Sequence, residues 1–464
     1  MGCACFDSRG KEDLPQLQNA PRVDNSSQSV PSESPSLSTV SSRSTLRRQN
    51  LTAGYSVLSP YRLGRRKGLV IGELKSTKKR CVVHVLPLRE GMLKTASCRN
   101  ALKESFTQLD HPHVRLFYGV MRDATSLHMA FETCEGGELA NLLEDKQSFS
   151  EQQAGMVIKQ VLGVLKYLHQ RDMCHGNLHP EFIGFISFSE RDVTIKVSGL
   201  FAQFWDNSRP LTVYDAPECS EQAADAKSDI WSCGMLLYRL LAGKLPFTKH
   251  SDMRTPLLEA GAYSPEAVSL TREMLTLDPN SRPLASVLLT HPWLLRWTAA
   301  DLTSTELRKG IIRLQELPSA HPLRQTLMMF VLDNVLDQEE VAQMGKVFTF
   351  IDTDQNGVLC REELLSALRL AMSEDKALSV TRRLLASRDT LDYSTFLLCV
   401  FTSDILSNWA LTKAFRMLCN GSERQLVAET LQEITTKQQR RRMSEAEGEK
   451  LSFAAFQKFM RLTE

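Results

Sequence analysis

The sequence lacks a marked excess of charge of either sign. Its 464 residues include 56 lysines and arginines and 54 aspartates and glutamates, which leaves a formal net charge of +2 at pH 7. Nucleic-acid-binding domains usually concentrate basic side chains on one face, so this balance predicts no nucleic-acid partner. The chain also has no apolar run long enough to cross a bilayer and no pattern typical of a secretory signal. These absences favour a cytoplasmic protein.

The eleven cysteines show none of the spacings typical of disulfide frameworks or zinc sites. A scattered set of this kind favours a reducing, cytosolic environment. Cys174, Cys233 and Cys399 lie in apolar patterns, which predicts core positions rather than reactive thiols. With 42% hydrophobic residues, the chain is long enough for about three compact units.

Residues 175–182 (HGNLHPEF) are similar to the catalytic loop of protein kinases, H-R-D-L-K-P-E-N. In that loop the Asp accepts the proton of the substrate hydroxyl, the Lys steadies the transferring phosphoryl group, and the Asn holds magnesium. The three corresponding residues here are Asn177, His179 and Phe182. An amide is no useful base at neutral pH, and a phenyl ring offers no oxygen to a hard cation. The loop therefore resembles that of a kinase that has lost catalysis.

The kinase resemblance extends over residues 58–297. The segments that carry it are 109–112 (LDHP), 135–139 (EGGEL), 167–169 (YLH), 216–218 (APE), 228–234 (SDIWSCG), 277–283 (LDPNSRP) and 291–293 (HPW). The resemblance implies that Glu218 pairs with Arg282 and that Asp229 anchors the backbone of the catalytic loop. We therefore expect an α+β bilobal protein kinase-like fold over this span.

The same resemblance implies that the residues that bind nucleotide are missing. The lysine that grips the phosphates falls on His84, and its glutamate partner falls on Leu102. The glycine-rich loop, aligned by Gly72, covers 67–74 and has only its third glycine in place.

The metal-binding D-F-G falls on 197–199 (VSG) or 199–201 (GLF), and neither register has an aspartate. Phe131 occupies the gatekeeper position, where a bulky ring narrows the adenine pocket. We expect no functional catalytic residue, with His84 and Asn177 as vestigial positions, and no ATP–magnesium binding.

Residues 352–363 (DTDQNGVLCREE) fit the twelve-position EF-hand calcium loop. Gly357 allows the sharp turn at position six. The fit predicts calcium coordination by the side chains of Asp352, Asp354, Asn356 and Glu363 and by the carbonyl of Val358, with Cys360 at the position where a water usually completes the shell.

Three further segments resemble EF-hands that cannot chelate. Thr395 and Ala455 replace the bidentate glutamate of the second and fourth hands, and Cys419 and Gly421 stand at ligand positions of the third. Residues 341–464 are therefore expected to form an all-α EF-hand (calmodulin-like) module with one intact and three degenerate hands.

Amphipathic helical stretches at 311–314 and 323–336, broken at Pro318 and Pro322, occupy a junction at 298–340. A kinase-like domain, a junction and four EF-hands in this order resemble the calcium-dependent protein kinases of plants and protists. In that family the junction inhibits the kinase lobe until calcium draws it onto the EF-hand module. Two ordinary packing helices are the alternative interpretation.

Residues 1–57 are expected to form a disordered tether whose start, MGCAC, resembles the acylated start of many members of this family. The resemblance implies myristoyl on Gly2 and palmitoyl on Cys3 or Cys5, and two chains give a stable membrane anchor. Phe6 departs from the motif, which has Ser or Thr at that position. A plain tail without lipid is the alternative.

The hypothesis from the sequence is a calcium-responsive pseudokinase, tethered to the cytosolic face of a membrane, that acts as a signalling scaffold or regulator. Protein partners would bind the kinase-like lobe and the EF-hand module. One alternative is an active calcium-dependent Ser/Thr kinase with an atypical site. Another is a calcium-sensor adaptor whose kinase-like lobe is inert.

Overall fold

The structure is a computed structural model. It describes residues 55–60, 69–74, 78–87, 106, 108–122, 125–145, 148–189, 192–199, 211–246, 258, 261–297, 304–314, 322–386, 388–419, 426–427, 450–451 and 453–461. All of them belong to one compact unit that spans Val40–Glu464.

The first lobe is a five-stranded antiparallel sheet with strand order β1-β2-β3-β5-β4. The strands are β1 (Tyr55–Pro60), β2 (Leu69–Leu74), β3 (Arg80–Pro87), β4 (Phe117–Arg122) and β5 (Ser126–Glu132). The central strand β3 carries a run of β-branched residues that favours strand structure, and Cys81, Val82 and Val83 are buried.

The second lobe is mainly helical. Its helices are α1 (Leu139–Asp145), α2 (Glu151–His169), α3 (Ala226–Ala242), α4 (Pro265–Met274), α5 (Ala285–Leu288) and α6 (Pro292–Arg296), and a hairpin of β6 (Ile183–Phe188) and β7 (Val193–Val197) follows a 3-10 turn at Pro180–Phe182. Capping boxes start α2 at Ser150 and α3 at Asp225, and Gly243 ends α3 in a left-handed conformation. Helices α2 and α3 are buried along most of their length, and their side chains belong to one hydrophobic core.

The C-terminal region is a second helical core. It contains α7 (Ser304–Ile312), α8 (Pro322–Asn334), α9 (Gln338–Ile351), α10 (Arg361–Arg369), α11 (Glu374–Leu384), α12 (Tyr393–Ile405), α13 (Asn408–Leu418) and α14 (Phe453–Arg461). Two-residue strands link the hands in pairs: β8 (Val358–Leu359) with β9 (Leu391–Asp392), and β10 (Leu426–Val427) with β11 (Lys450–Leu451). The predicted fold class, a bilobal α+β kinase-like fold followed by a helical EF-hand module, is confirmed.

No single described helix has the length and apolar character needed to span a membrane. Only α12 and α13 taken together, with a bend of 105° between them, meet those two criteria.

Candidate functional site

The residues that shape the catalytic loop of a kinase make the contacts that the resemblance implies. Asp229 accepts hydrogen bonds from the backbone N–H groups of His175 (2.8 Å) and Gly176 (2.7 Å) through its two carboxylate oxygens. Glu218 and Arg282 form a bidentate pair at 2.5 and 2.8 Å. Both contacts join segments far apart in the sequence, so the backbone of the loop is held as in a kinase although its chemistry differs.

The reacting positions of the loop hold no carboxylate. Asn177 is half-buried, and its backbone N–H donates to Nδ1 of His175 at 3.3 Å. The ring of His179 packs against the ring of Phe182, with 4.3 Å between the ring centroids. Backbone N–H and Oγ of Ser198, in the segment aligned with D-F-G, both donate to the carbonyl of Phe182. The positions that correspond to the catalytic Asp and the metal-binding Asn therefore carry an amide and a phenyl ring.

At the positions aligned with the nucleotide cleft, His84 contacts two aromatic side chains, Phe131 and Phe182. The rings of His84 and Phe182 are nearly parallel, with centroids 5.7 Å apart, and the ring of Phe131 meets His84 edge-on at 5.2 Å. A methyl group added to Gly199 would lie 2.4 Å from Cγ of Phe182, so this ring also fills the space beside the D-F-G segment. We call these three residues, His84, Phe131 and Phe182, the aromatic plug.

His84 cannot replace the charge of the missing lysine. Burial, with a smaller effect from the positive charge of Arg115, lowers the pKa of His84 to about 3. Its Nε2 is buried and has no hydrogen-bond partner among the described residues. The side chain is therefore neutral at physiological pH, and it packs as a ring.

Glu138, in the segment between β5 and α1, forms a buried ion pair with Arg115 that the sequence did not predict. Nη2 of Arg115 lies 2.9 Å from both carboxylate oxygens of Glu138 and 3.1 Å from Sγ of Cys134. Gly184, two residues after Phe182, leaves room for this guanidinium, since a methyl group there would lie 1.9 Å from Nη2. The available signal was one arginine, at 115, inside an otherwise apolar run.

Gly72, which aligns with the third glycine of the glycine-rich loop, lies inside β2. It pairs there with Val57 of β1 and Cys81 of β3. Residues 61–68, between β1 and β2, lie outside the described residues, so the register of the loop over 67–74 stays a prediction.

In the first hand, the carboxylates of Asp352, Asp354 and Glu363 converge, with ligand oxygens within 4.8 Å of one another. The turn is held by hydrogen bonds from the N–H of Gly357 to Asp352 (2.9 Å) and from the N–H of Thr353 to Glu363 (2.8 Å). Burial, together with the charges of Glu363 and Asp354, raises the pKa of Asp352 to about 7. Converging carboxylate oxygens are the donor set that calcium prefers.

The other predicted ligands lie in the same loop but outside this carboxylate group. Asn356 donates through Nδ2 to Asp354 and accepts the N–H of Val358 at 2.8 Å. Val358 pairs with Asp392 in the short strand between the hands. Cys360 is the N-cap residue of α10, and its N–H donates to Glu363 at 3.0 Å.

The second hand has a cation of its own near the position of the missing glutamate. Nη1 of Arg388 donates to Oγ1 of Thr395 at 3.1 Å. In the third hand, Cys419 is buried, and burial raises the pKa of its thiol. Gly421, the side chain of Ala455, Leu102, residues 200–201 and the lipidation positions Gly2, Cys3 and Cys5 lie outside what the structure describes.

Both junction helices pack on the EF-hand module. Helix α7 crosses α9 at Gly310, where an added methyl group would lie 2.9 Å from Cγ2 of Val347. Helix α8 packs on α12, α13 and α14, and Nε of Arg324 donates to the carbonyl of Phe459 at 3.1 Å. In this structure the junction is thus part of the hydrophobic core of the module.

Comparison with known proteins agrees with this architecture. Residues 68–294 match the protein kinase domain family. Calcium-dependent protein kinase 3 of Plasmodium yoelii yoelii is 28% identical over 70% of this chain and 65% of its own length. Calcium-dependent protein kinase SK5 of Glycine max is 30% identical over 57% of this chain and 55% of its own length. The chain therefore spans less than two thirds of the length of these relatives.

The fold and the match to the kinase domain define a protein of the kinase fold that carries a helical EF-hand region. Within that class, the match to the kinase domain and the relatives support the calcium-dependent protein kinase family for this chain.

Proposed function

We propose that this chain is a calcium-responsive pseudokinase: a signalling scaffold whose kinase-like lobe binds protein partners and does not transfer phosphate. The observation that carries the proposal is the aromatic plug. Its rings occupy the space between the position of the phosphate-gripping lysine and that of the metal-binding asparagine. A nucleoside triphosphate would have to separate these rings before it could bind in the cleft.

The magnitude of the losses supports this reading. Phosphoryl transfer depends mainly on positioning and on electrostatic stabilisation of the phosphates. Removing one such group typically costs about 3 kcal/mol, or roughly a hundredfold in rate, and joint losses are not additive. Here Asn177, Phe182 and His84 replace three such groups at once, and His84 is neutral.

The calcium response is assigned to the first hand. Calcium would neutralise the converging carboxylates of Asp352, Asp354 and Glu363. Burial, together with the other two carboxylates, raises the pKa of Asp352. In sensor EF-hands, such neutralisation changes the angle between the helices and exposes apolar surface. That surface is the proposed site for protein partners of the module.

The membrane tether belongs to the same proposal. Its basis is the start MGCAC, with acyl groups on Gly2 and on Cys3 or Cys5. A Gly2→Ala variant expressed in cells should move from the membrane to the soluble fraction and lose incorporation of a myristate analogue. Unchanged fractionation of the variant would remove the tether and leave the rest of the proposal standing.

An active calcium-dependent kinase is the second candidate, and it is favoured by the names of the relatives, which are called kinases. It requires ATP–magnesium binding. A thermal-shift titration of the full chain with ATP–magnesium and, separately, with calcium distinguishes the two. A ligand at a hundred times its dissociation constant stabilises the protein it binds by about 2.7 kcal/mol, which is a readable shift.

We expect a shift with calcium and none with ATP–magnesium. A clear shift with ATP–magnesium would overturn the pseudokinase proposal, and transfer of labelled phosphate would then be the next assay. A calcium sensor with an inert lobe predicts that substitutions on the surface of the kinase-like lobe leave capture of protein partners unchanged.

A further inference from the structure

The calcium loop of the first hand lies directly against helix α2 of the kinase-like lobe. The ring of Tyr167 covers Gly357, since a methyl group added to this glycine would lie 2.5 Å from Cδ2 of the ring. One turn earlier on α2, a methyl group added to Gly163 would lie 3.4 Å from Oε1 of Gln355. Outside its own helix, that methyl group would meet no other described residue within 4 Å. Residues four apart lie on one face of a helix, so one face of α2 supports two positions of the loop.

The helices around the loop are held by the same lobe. At the start of α12, the N–H of Ser394 donates to Oδ2 of Asp110 at 2.9 Å. On α9, Nζ of Lys346 lies 2.5 Å from Oδ1 of Asp192. The hydroxyl of Tyr167 accepts the backbone N–H of Asp110 at 2.8 Å, so two of the lobe residues that touch the module are joined to each other. We call α2 together with Asp110 and Asp192 the seat.

The seated loop holds three carboxylates close enough to share one cation. Its three carboxylates converge within 4.8 Å, and Gly357 holds the positive φ of +82° that the turn requires. Any contact that favours this arrangement over a more open one raises the affinity for calcium, because less ordering remains to be done when the ion binds.

We propose that Gly163, Tyr167 and Asp110 of the kinase-like lobe are positioning residues for the calcium site. Contact with the seat raises the calcium affinity of the first hand, and calcium in turn strengthens the contact. This reciprocity is required by thermodynamic linkage. The inference rests on the proposed function, since it assumes that the loop binds calcium, and it adds that the calcium signal reaches the lobe through α2 instead of through the nucleotide cleft.

The test is a calorimetric calcium titration of the full chain carrying Gly163→Leu. The longer side chain would push against Gln355 of the hand, while the helix itself gains a better helix former. We expect calcium binding about tenfold weaker, inside the fivefold to 150-fold range typical of coupled sites. The matched control is Gly163→Ala, whose methyl group fits at 3.4 Å and should leave the affinity within about twofold of the wild type.

A second readout separates positioning from a purely structural effect. Calcium should raise the melting temperature of the kinase-like lobe in the wild type and raise it less in Gly163→Leu. A substitution that merely destabilised the lobe would lower the melting temperature by the same amount with and without calcium.

The outcomes distinguish this inference from the proposed function. A folded Gly163→Leu protein that binds calcium as tightly as the wild type overturns the positioning role and leaves the calcium site intact. A wild-type chain that binds no calcium overturns the proposed function, and this inference with it. If Gly163→Leu does not fold, Asp110→Ala takes its place: weaker calcium binding supports the seat, and unchanged binding overturns it.

Discussion

The nucleotide cleft and the calcium loop both occupy positions that family motifs define. They differ in whether their charged side chains have partners of opposite charge. In the cleft, a neutral His84 packs against rings, and Glu138 is paired internally with Arg115. In the loop, the carboxylates of Asp352, Asp354 and Glu363 crowd together without a cationic side chain in their group. The buried charges beside the cleft are paired with each other, whereas the three carboxylates of the loop have no cationic side chain in their group. The two regions therefore lead to different predictions for ligand binding.

The largest effect is expected from breaking the buried ion pair between Arg115 and Glu138. Glu138→Ala should lower the free energy of unfolding of the kinase-like lobe by about 3–5 kcal/mol, because it leaves the buried charge of Arg115 unpaired. Denaturant unfolding measures this loss. The exposed Glu144→Ala on α1, the helix that follows Glu138, is the control and should change stability by less than about 0.5 kcal/mol.

A double variant shows whether the pair contributes more than packing. Arg115→Met combined with Glu138→Leu should recover most of the stability, since apolar residues often replace buried ion pairs without loss. If Glu138→Ala alone is as stable as the wild type, the buried charge of Arg115 does not depend on Glu138. The contrast between a paired cleft and an unpaired loop would then not hold.

The next largest effect is expected from removing one of the three converging carboxylates of the calcium loop. Glu363→Gln should weaken calcium binding by more than ~100-fold, because changes in residues around a metal site, even without direct ligation, already cost roughly 10–100-fold. Calorimetry with calcium measures it. The adjacent, exposed Glu362→Gln removes the same charge outside the converging group and should leave the affinity nearly unchanged. Equal losses in both variants would mean that general charge, not coordination, attracts calcium.

The sequence predicts a site well when its residues lie close together in the chain and poorly when they come from distant segments. The calcium loop is a continuous run of twelve residues, so spacing alone identified the three carboxylates that converge. The aromatic plug joins β3, β5 and the 3-10 turn, and the contact between Arg115 and Glu138 joins the segment before β4 to the segment before α1. Such contacts depend on tertiary packing, which periodicity and motif spacing do not encode. The strand partners of Gly72 show the same limit, because strand register is set by residues on other strands.

A smaller effect on stability is expected at the junction, where α7 packs against the EF-hand module. Gly310→Leu would force a branched side chain against Val347 and Met344, where α7 crosses α9. Overpacking of this kind costs about 1–3 kcal/mol, so the EF-hand module should unfold at lower denaturant concentration. Arg308→Leu on the exposed face of α7 is the matched control, with an expected change below about 0.5 kcal/mol. No difference between the two variants would mean that α7 does not remain packed on the module in solution.

The smallest effect concerns pH. Burial and neighbouring carboxylates raise the pKa of Asp352 from an ordinary value of 3.8 to about 7 in the calcium-free protein. The folded state therefore binds a proton more tightly than the unfolded state does. It follows that the contribution of this group to stability falls as pH rises from about 4 to 7, so the calcium-free module should melt at lower temperature at pH 7 than at pH 6.

Calcium binding should show the opposite slope, because the ion must displace the proton on Asp352. Affinity should fall as pH drops below about 7, approaching tenfold per pH unit, and calorimetry at pH 7.5 and 6.0 in matched ionic strength would measure the change. Glu363→Gln removes one of the charges that raise this pKa, so its calcium-free melting temperature should depend less on pH than that of the wild type. An affinity that stays constant between the two pH values would mean that Asp352 is already ionised before calcium binds. In that case the loop would resemble the cleft, with its charges balanced from within the chain.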